Sequence, residues 1–139
     1  MLYMLDTDIC SYLIKGCSEE LLINLNRHNE DTICISSITY AELLFGATRI
    51  NSKKIMMKID AIVQKVDIIH FDDQAAFFYS KIRNELEQNG IPIGNMDILI
   101  AACALSSRAI LITNNEKHFG RIPNLHMENW TEAVQLYQQ

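Results

Sequence analysis

Leu2-Tyr3-Met4-Leu5-Asp6-Thr7-Asp8 is an apolar run that stops at an acidic turn, the pattern of a buried strand handing over to a loop or a helix start. Asp8 can cap the next helix, which carries Ile9, Tyr12 and Leu13 on one face and closes at Gly16. Downstream, Glu19 to Arg27 reads as a helix with Leu21, Leu22 and Leu25 inward, and Thr32 to Ser36 as a short β-branched strand. Thr39 to Ala47 restarts a helix. Asn51 to Val66 repeats Ile55, Ile59, Ile62 and Val66 at helical spacing, with Lys53, Lys54 and Lys58 off that stripe. Asp67 to Phe71 is a strand. The helix after it is capped by Asp72 or Asp73, lines up Ala75, Tyr79, Ile82 and Leu86, and stops at Asn89-Gly90. Met96 to Ser106 is the most apolar helix and is expected to be the most buried. Ala109 to Thr113 is a strand ending in Asn114-Asn115, and a short strand near His126 with a terminal helix after Trp130 completes the chain.

Strands alternating with helices predict an α/β fold, a central parallel sheet flanked by helices in three layers. Ligands of such sheets bind beyond the carboxyl ends of the strands. Asp6 and Asn114-Asn115 both belong on that rim. With 139 residues, 49% of them hydrophobic, the chain can bury roughly 70% of its unfolded surface, and residues 1–139 read as a single domain. The apolar runs stop far short of the roughly 20 residues that cross a bilayer. Met1 to Asp6 lacks the basic segment and cleavage site of a secretory signal, so a cytoplasmic protein is expected. The four cysteines, Cys10, Cys17, Cys34 and Cys103, form no C-x-x-C pair and read as free thiols. His28, His70, His118 and His126 are not at zinc-ligand spacing.

Three carboxylates interrupt apolar segments: Asp6, Glu42 before Leu43-Leu44-Phe45, and Asp97 before Ile98-Leu99-Ile100. Each has an ordinary reading: Asp6 or Asp8 as turn residues, Thr39-x-x-Glu42 as a capping box, and Asp97 as a complement to the positive end of its helix. The parallel sheet, however, predicts that all three meet at one edge. At about 5 Å and an effective dielectric near 20, each pair repels by about 3 kcal/mol. Such a group is tolerated by protonation or by a bound cation. An all-oxygen donor set favours Mg²⁺ or Mn²⁺ over zinc, and such an ion can activate water and clamp phosphate oxygens. Phosphoester chemistry is the resulting expectation.

Four segments carry a resemblance that runs from end to end of the chain. They are Met4-Leu5-Asp6-Thr7-Asp8; Ile35 to Leu43 with Gly46-Ala47; Pro92 to Ala102; and Leu111 to Asn115 with Phe119. Their order and gaps resemble the PIN-domain ribonucleases, and among them the VapC-type toxins of toxin–antitoxin pairs. The resemblance implies a PIN fold and Mg²⁺-dependent hydrolysis of RNA, with tRNA the expected substrate, a cognate antitoxin as partner, and homodimers and toxin–antitoxin hetero-oligomers. Carried over by position, Asp6 and Asp97 would be metal ligands and Glu42 would act through water. Asn115 would hold a water or phosphate oxygen, with Thr7, Thr113 and Asn114 in support. Many relatives carry a further acid after the corresponding strand. This chain has Asn114-Asn115 there, and His118 where some relatives carry Asp or Glu, so the number of ions stays open. Asp8 stands where Asn is usual and is read as a helix cap.

A net charge of −5 is unusual for a protein that meets RNA phosphates. Setting Asp6, Glu42 and Asp97 aside from the 17 acids leaves 14 against 12 bases. Arg49, Lys53, Lys54 and Lys58 form the densest basic stretch, either an RNA track or a solvated helix face. Arg83 and Arg108 could equally meet substrate or antitoxin. Two other classes use similar letters. Asp6-Thr7-Asp8 also looks like the nucleophile motif of haloacid dehalogenase-like phosphatases, but the 26 residues after Thr113 contain no Asp to complete that site. A receiver-like Mg²⁺-binding module would want its acceptor at a central strand end, whereas Asp97 opens a helix.

Overall fold

The computed structural model describes residues 1–133. Strand β1 (Leu2–Leu5) leads into α1 (Thr7–Lys15) and α2 (Glu19–Arg27), then β2 (Thr32–Ser36), α3 (Ser37–Arg49), α4 (Lys53–Val63) and β3 (Asp67–Ile69). The second half runs α5 (Asp73–Gln88), α6 (Asn95–Ser107), β4 (Ile110–Ile112), α7 (Glu116–Phe119) and β5 (Met127–Glu128). All strand pairs are parallel and the sheet order is β3-β2-β1-β4-β5.

Alternation along the strands explains why both faces are covered. Met4, Cys34 and Leu111 point into a core completed by α5 and α6, through Ile82, Leu86, Ile98 and Ala102. Tyr3, Leu5, Ile35 and Ile112 point the other way, onto Ile9, Leu21, Leu43, Ile59 and Trp130. Helix α6 buries Ile98, Ile100, Ala101, Ala102, Cys103 and Ala104, as its composition predicts. Cys10, Cys34 and Cys103 are buried free thiols and Cys17 is an exposed one. Among the described residues no helix is long and apolar enough to cross a membrane.

Several local expectations are corrected. Asp6 caps α1, not Asp8: its side chain accepts from Ile9 N while its own N–H donates to Ile112 O at 3.0 Å, keeping it extended at the strand end. Asp8 becomes an exposed first-turn residue. Helix α3 starts at Ser37, two residues before the predicted Thr39, because the Ser36 hydroxyl accepts from Thr39 N at 3.0 Å. Leu22 is 52% exposed, while Asn24 is buried and donates to Trp130 O. The inner face of α2 therefore runs through Leu21, Asn24 and Leu25. β3 ends at Ile69, two residues short of Phe71, whose N–H donates to the Ser37 hydroxyl instead. Residues 131–133 form turn and bend; the rest of the predicted terminal helix lies outside the described residues.

The chain order around β1 decides where a site can form. β2 and β3 lie to one side of β1, and β4 and β5 to the other. The connections therefore part at the carboxyl ends of β1 and β4, the switch point at which open α/β sheets bind ligands.

Candidate active site

Asp6 follows β1 and Thr113 follows β4, so the pair brackets that crevice. Asp6 is 3% exposed. Its Oδ1 accepts from Ile9 N at 2.9 Å, and its Oδ2 accepts from Thr113 Oγ1 at 2.5 Å. Burial pushes its carboxyl up from 3.8 to about 7; the Thr113 and Ile9 hydrogen bonds oppose that rise, and the charges of Asp8 and Asp97 add to it.

Asp97 reaches the same rim by helix direction. α6 feeds β4 through Arg108-Ala109, so it runs back along the sheet and its first turn, holding Asp97, lies at the carboxyl end of the strands. Asp97 is half-buried. Its carboxyl is pushed up by burial, then by Glu42 and Asp8, and pulled down by His118. Glu42, in the second turn of α3, accepts from Thr7 Oγ1 at 2.7 Å, and Thr7 Oγ1 lies 3.2 Å from the buried Thr39 hydroxyl. The capping-box reading of Thr39 and Glu42 is thereby replaced by a contact across 35 residues.

Asp6, Asp8, Glu42 and Asp97 thus act on one another electrostatically. Among the described residues none of the four forms an ion pair. Nor do any three His, Cys, Asp or Glu side chains there form a group arranged to hold a metal ion. The predicted trio therefore converges on one rim without closing into a ligand cage. The Thr7 bond ties Glu42 to the residue that follows Asp6. The donor set still fits a hard divalent cation: it is all oxygen, anionic, partly desolvated and without a basic counterpart in contact.

The remaining predicted residues form a support layer. Asn115 N donates to Thr113 Oγ1 at 2.9 Å, and Asn115 Nδ2 lies 3.2 Å from His118 Nδ1. Asn114 Nδ2 donates to the Tyr12 hydroxyl at 2.7 Å, tying α1 to the end of β4. Sequence reading places Tyr12 on an apolar face and misses this role, for which only the paired Asn residues gave a signal. Ser36 was missed as the cap of α3, and Thr39 was read as a capping-box residue rather than as the neighbour of Thr7; the run Ser36-Ser37-x-Thr39 was the available hint.

Glu42 stands between two grooves. One, of ≈ 390 Å³, lies among α1, α3 and α4 and is lined by Thr7, Lys15, Gly46 and Arg49. The other, of ≈ 510 Å³, is more apolar and is lined by Ile38, Phe45, Met96 and Leu99. The basic stretch divides between roles: Arg49 faces the first groove, whereas Lys58 donates to Ile14 O at the end of α1. Another hollow, of ≈ 420 Å³, is lined by Arg108, Ile110 and His126 near the start of β4 and contains none of the candidate residues.

A family model described as PIN domain matches residues 3–125. Ribonuclease VapC2 of Rickettsia felis is 45% identical over 132 residues, spanning 94% of this chain and 98% of that protein. The tRNA(fMet)-specific endonuclease VapC of Salmonella typhimurium is 35% identical over 129 residues, spanning 92% and 97%. In the crystal structure of VapBC2 from Rickettsia felis bound to a promoter DNA fragment, the matching chain superposes with a TM-score of 0.87 at 44% identity, covering 94% of this chain and 99% of that one.

Proposed function

The chain belongs to the PIN-domain family, among its VapC ribonucleases, and we propose that it is a divalent-metal-dependent endoribonuclease acting as the toxin of a toxin–antitoxin pair. This reading supersedes the phosphatase and receiver alternatives. We take residues 1–139 as one domain, a cognate antitoxin as partner, a second copy of the chain as a further one, and the cytoplasm as the place of action. tRNA is the substrate class; the name of the Salmonella relative points to the initiator species.

The observation that carries the reading is Asp6, buried and, among the described residues, without an ion-pair partner, in the field of Asp97 at the sheet's switch point. Asp6 and Asp97 would hold Mg²⁺ or Mn²⁺, with Glu42 contributing through water. Such an ion supplies Lewis acidity toward a phosphate oxygen and lowers the pKa of a water. The chain's own residues do the rest. Thr113 and the Ile9 N–H fix both Asp6 oxygens. Thr7 holds Glu42 Oε1, leaving Oε2 to take the proton of the attacking water. Asn115 Oδ1 orients a water at the rim. The P–O3′ bond breaks as the new P–O bond forms, the leaving 3′ oxygen takes a proton from solvent water to become a hydroxyl, and the product carries a 5′-phosphate, with no covalent enzyme intermediate.

Expression of wild type and Asp97→Asn in cells without an antitoxin, followed by sequencing of RNA ends, tests this. Growth arrest with discrete new ends bearing 5′-phosphates in the wild type alone is expected. A 2′,3′-cyclic phosphate product contradicts hydrolysis by water.

A further inference from the structure

His118 sits on the rim and takes no part in the proposed hydrolysis. It belongs to α7 and is half-buried. Asn115 Nδ2 can only donate, and it lies 3.2 Å from His118 Nδ1. With Nδ2 as the facing atom of the Asn115 amide, Nδ1 accepts and the neutral ring carries its proton on Nε2. Among the described residues His118 makes its hydrogen bond through Nδ1, and none is found at Nε2. The ring lies close enough to the Asp97 carboxyl that its cationic form would oppose the upward push of burial, Glu42 and Asp8.

Charge makes the position consequential. Four carboxylates, Asp6, Asp8, Glu42 and Asp97, face an RNA phosphodiester that is itself an anion. Lys15 and Arg49 line the groove on the Glu42 side, and His118 is the donor on the Asp97 side. Resting on the ribonuclease reading, we propose that His118 is a substrate-contacting residue: its Nε2–H, oriented by Asn115, donates to a non-bridging oxygen of the scissile phosphodiester. A carboxylate at this position would repel that oxygen or call for another cation; the imidazole does neither.

The two ends of the ring can be tested separately. Gln at 118 carries its amide donor near the Nε2 position, whereas Asn places its amide near Nδ1 and leaves the Nε2 position vacant. Cleavage of a tRNA(fMet) transcript in Mg²⁺ is measured for wild type, H118A, H118N and H118Q, beside Mn²⁺ binding to each chain without RNA. A lost hydrogen bond to a charged oxygen predicts KM higher by about tenfold or more in H118A and H118N, with kcat changed by less than about threefold and H118Q within about threefold of wild type. Mn²⁺ affinity is expected to be the same in all four. Unchanged KM in H118A, an H118Q as defective as H118A, or weakened Mn²⁺ binding in H118A each overturns the assignment. A wild-type chain that leaves the transcript intact overturns the substrate reading itself, whatever the variants do.

Discussion

Asp6→Asn stabilises the metal-free chain while removing a proposed metal ligand. Asn can keep both local bonds: its Oδ1 can accept from Ile9 N, and its Nδ2 can donate to Thr113 Oγ1, whose own proton then turns away from Asp6. Asn is also as good a helix N-cap as Asp. What disappears is the cost of an ionised carboxylate that is 3% exposed. At about 1.4 kcal/mol per pH unit, a carboxyl raised from 3.8 to about 7 carries a cost of about 4 kcal/mol once ionised. The folded chain binds this proton more tightly than the unfolded chain does. Wild-type stability therefore falls as pH rises from about 4 to about 7, while Asp6→Asn lacks this slope. In EDTA at pH 8 the variant should melt about 10 °C or more above wild type, and the two curves should converge near pH 4. Adding Mg²⁺ should narrow the gap from the wild-type side, because an ion that binds only the folded state stabilises it. A variant no more stable than wild type at pH 8 in EDTA, or a gap that persists unchanged at pH 4, refutes the reasoning.

Thr7→Val removes the hydroxyl that holds Glu42 Oε1; kcat on RNA should fall about tenfold or more, while the melting temperature moves by only a few degrees. Asn24→Leu breaks the bond that ties α2 to Trp130 O and should destabilise the fold by about 1–3 kcal/mol in urea titrations, with kcat in saturating Mg²⁺ unchanged.

The parallel sheet was legible because β1, β2 and β4 are short, largely apolar and followed at once by a polar residue, Asp6, Ser37 and Thr113, and because helices separate most of them. Asp6, Glu42 and Asp97 stood out for a related physical reason: a charge within an apolar segment needs either a partner or a task. Caps and partners were not legible where two local choices are nearly equal in energy. In Asp6-Thr7-Asp8 either acid can cap α1, and the bond from Asp6 N to Ile112 O in a distant strand decides it. Thr39 and Glu42 fit a capping box, but Ser36 begins the helix first. Leu22 fits the apolar stripe of α2 as well as Leu25 does. The helix rotates to bury Asn24 against Trp130, 106 residues away, which no local pattern encodes.

Calorimetric titration of the isolated chain with Mn²⁺ addresses the joint use of Asp6 and Asp97 most directly. One ion per chain is predicted for wild type, with affinity lowered at least tenfold by Asp6→Asn or by Asp97→Asn and unchanged by Asp60→Asn on the exposed side of α4. Mn²⁺ bound as tightly by both rim variants as by wild type contradicts the account.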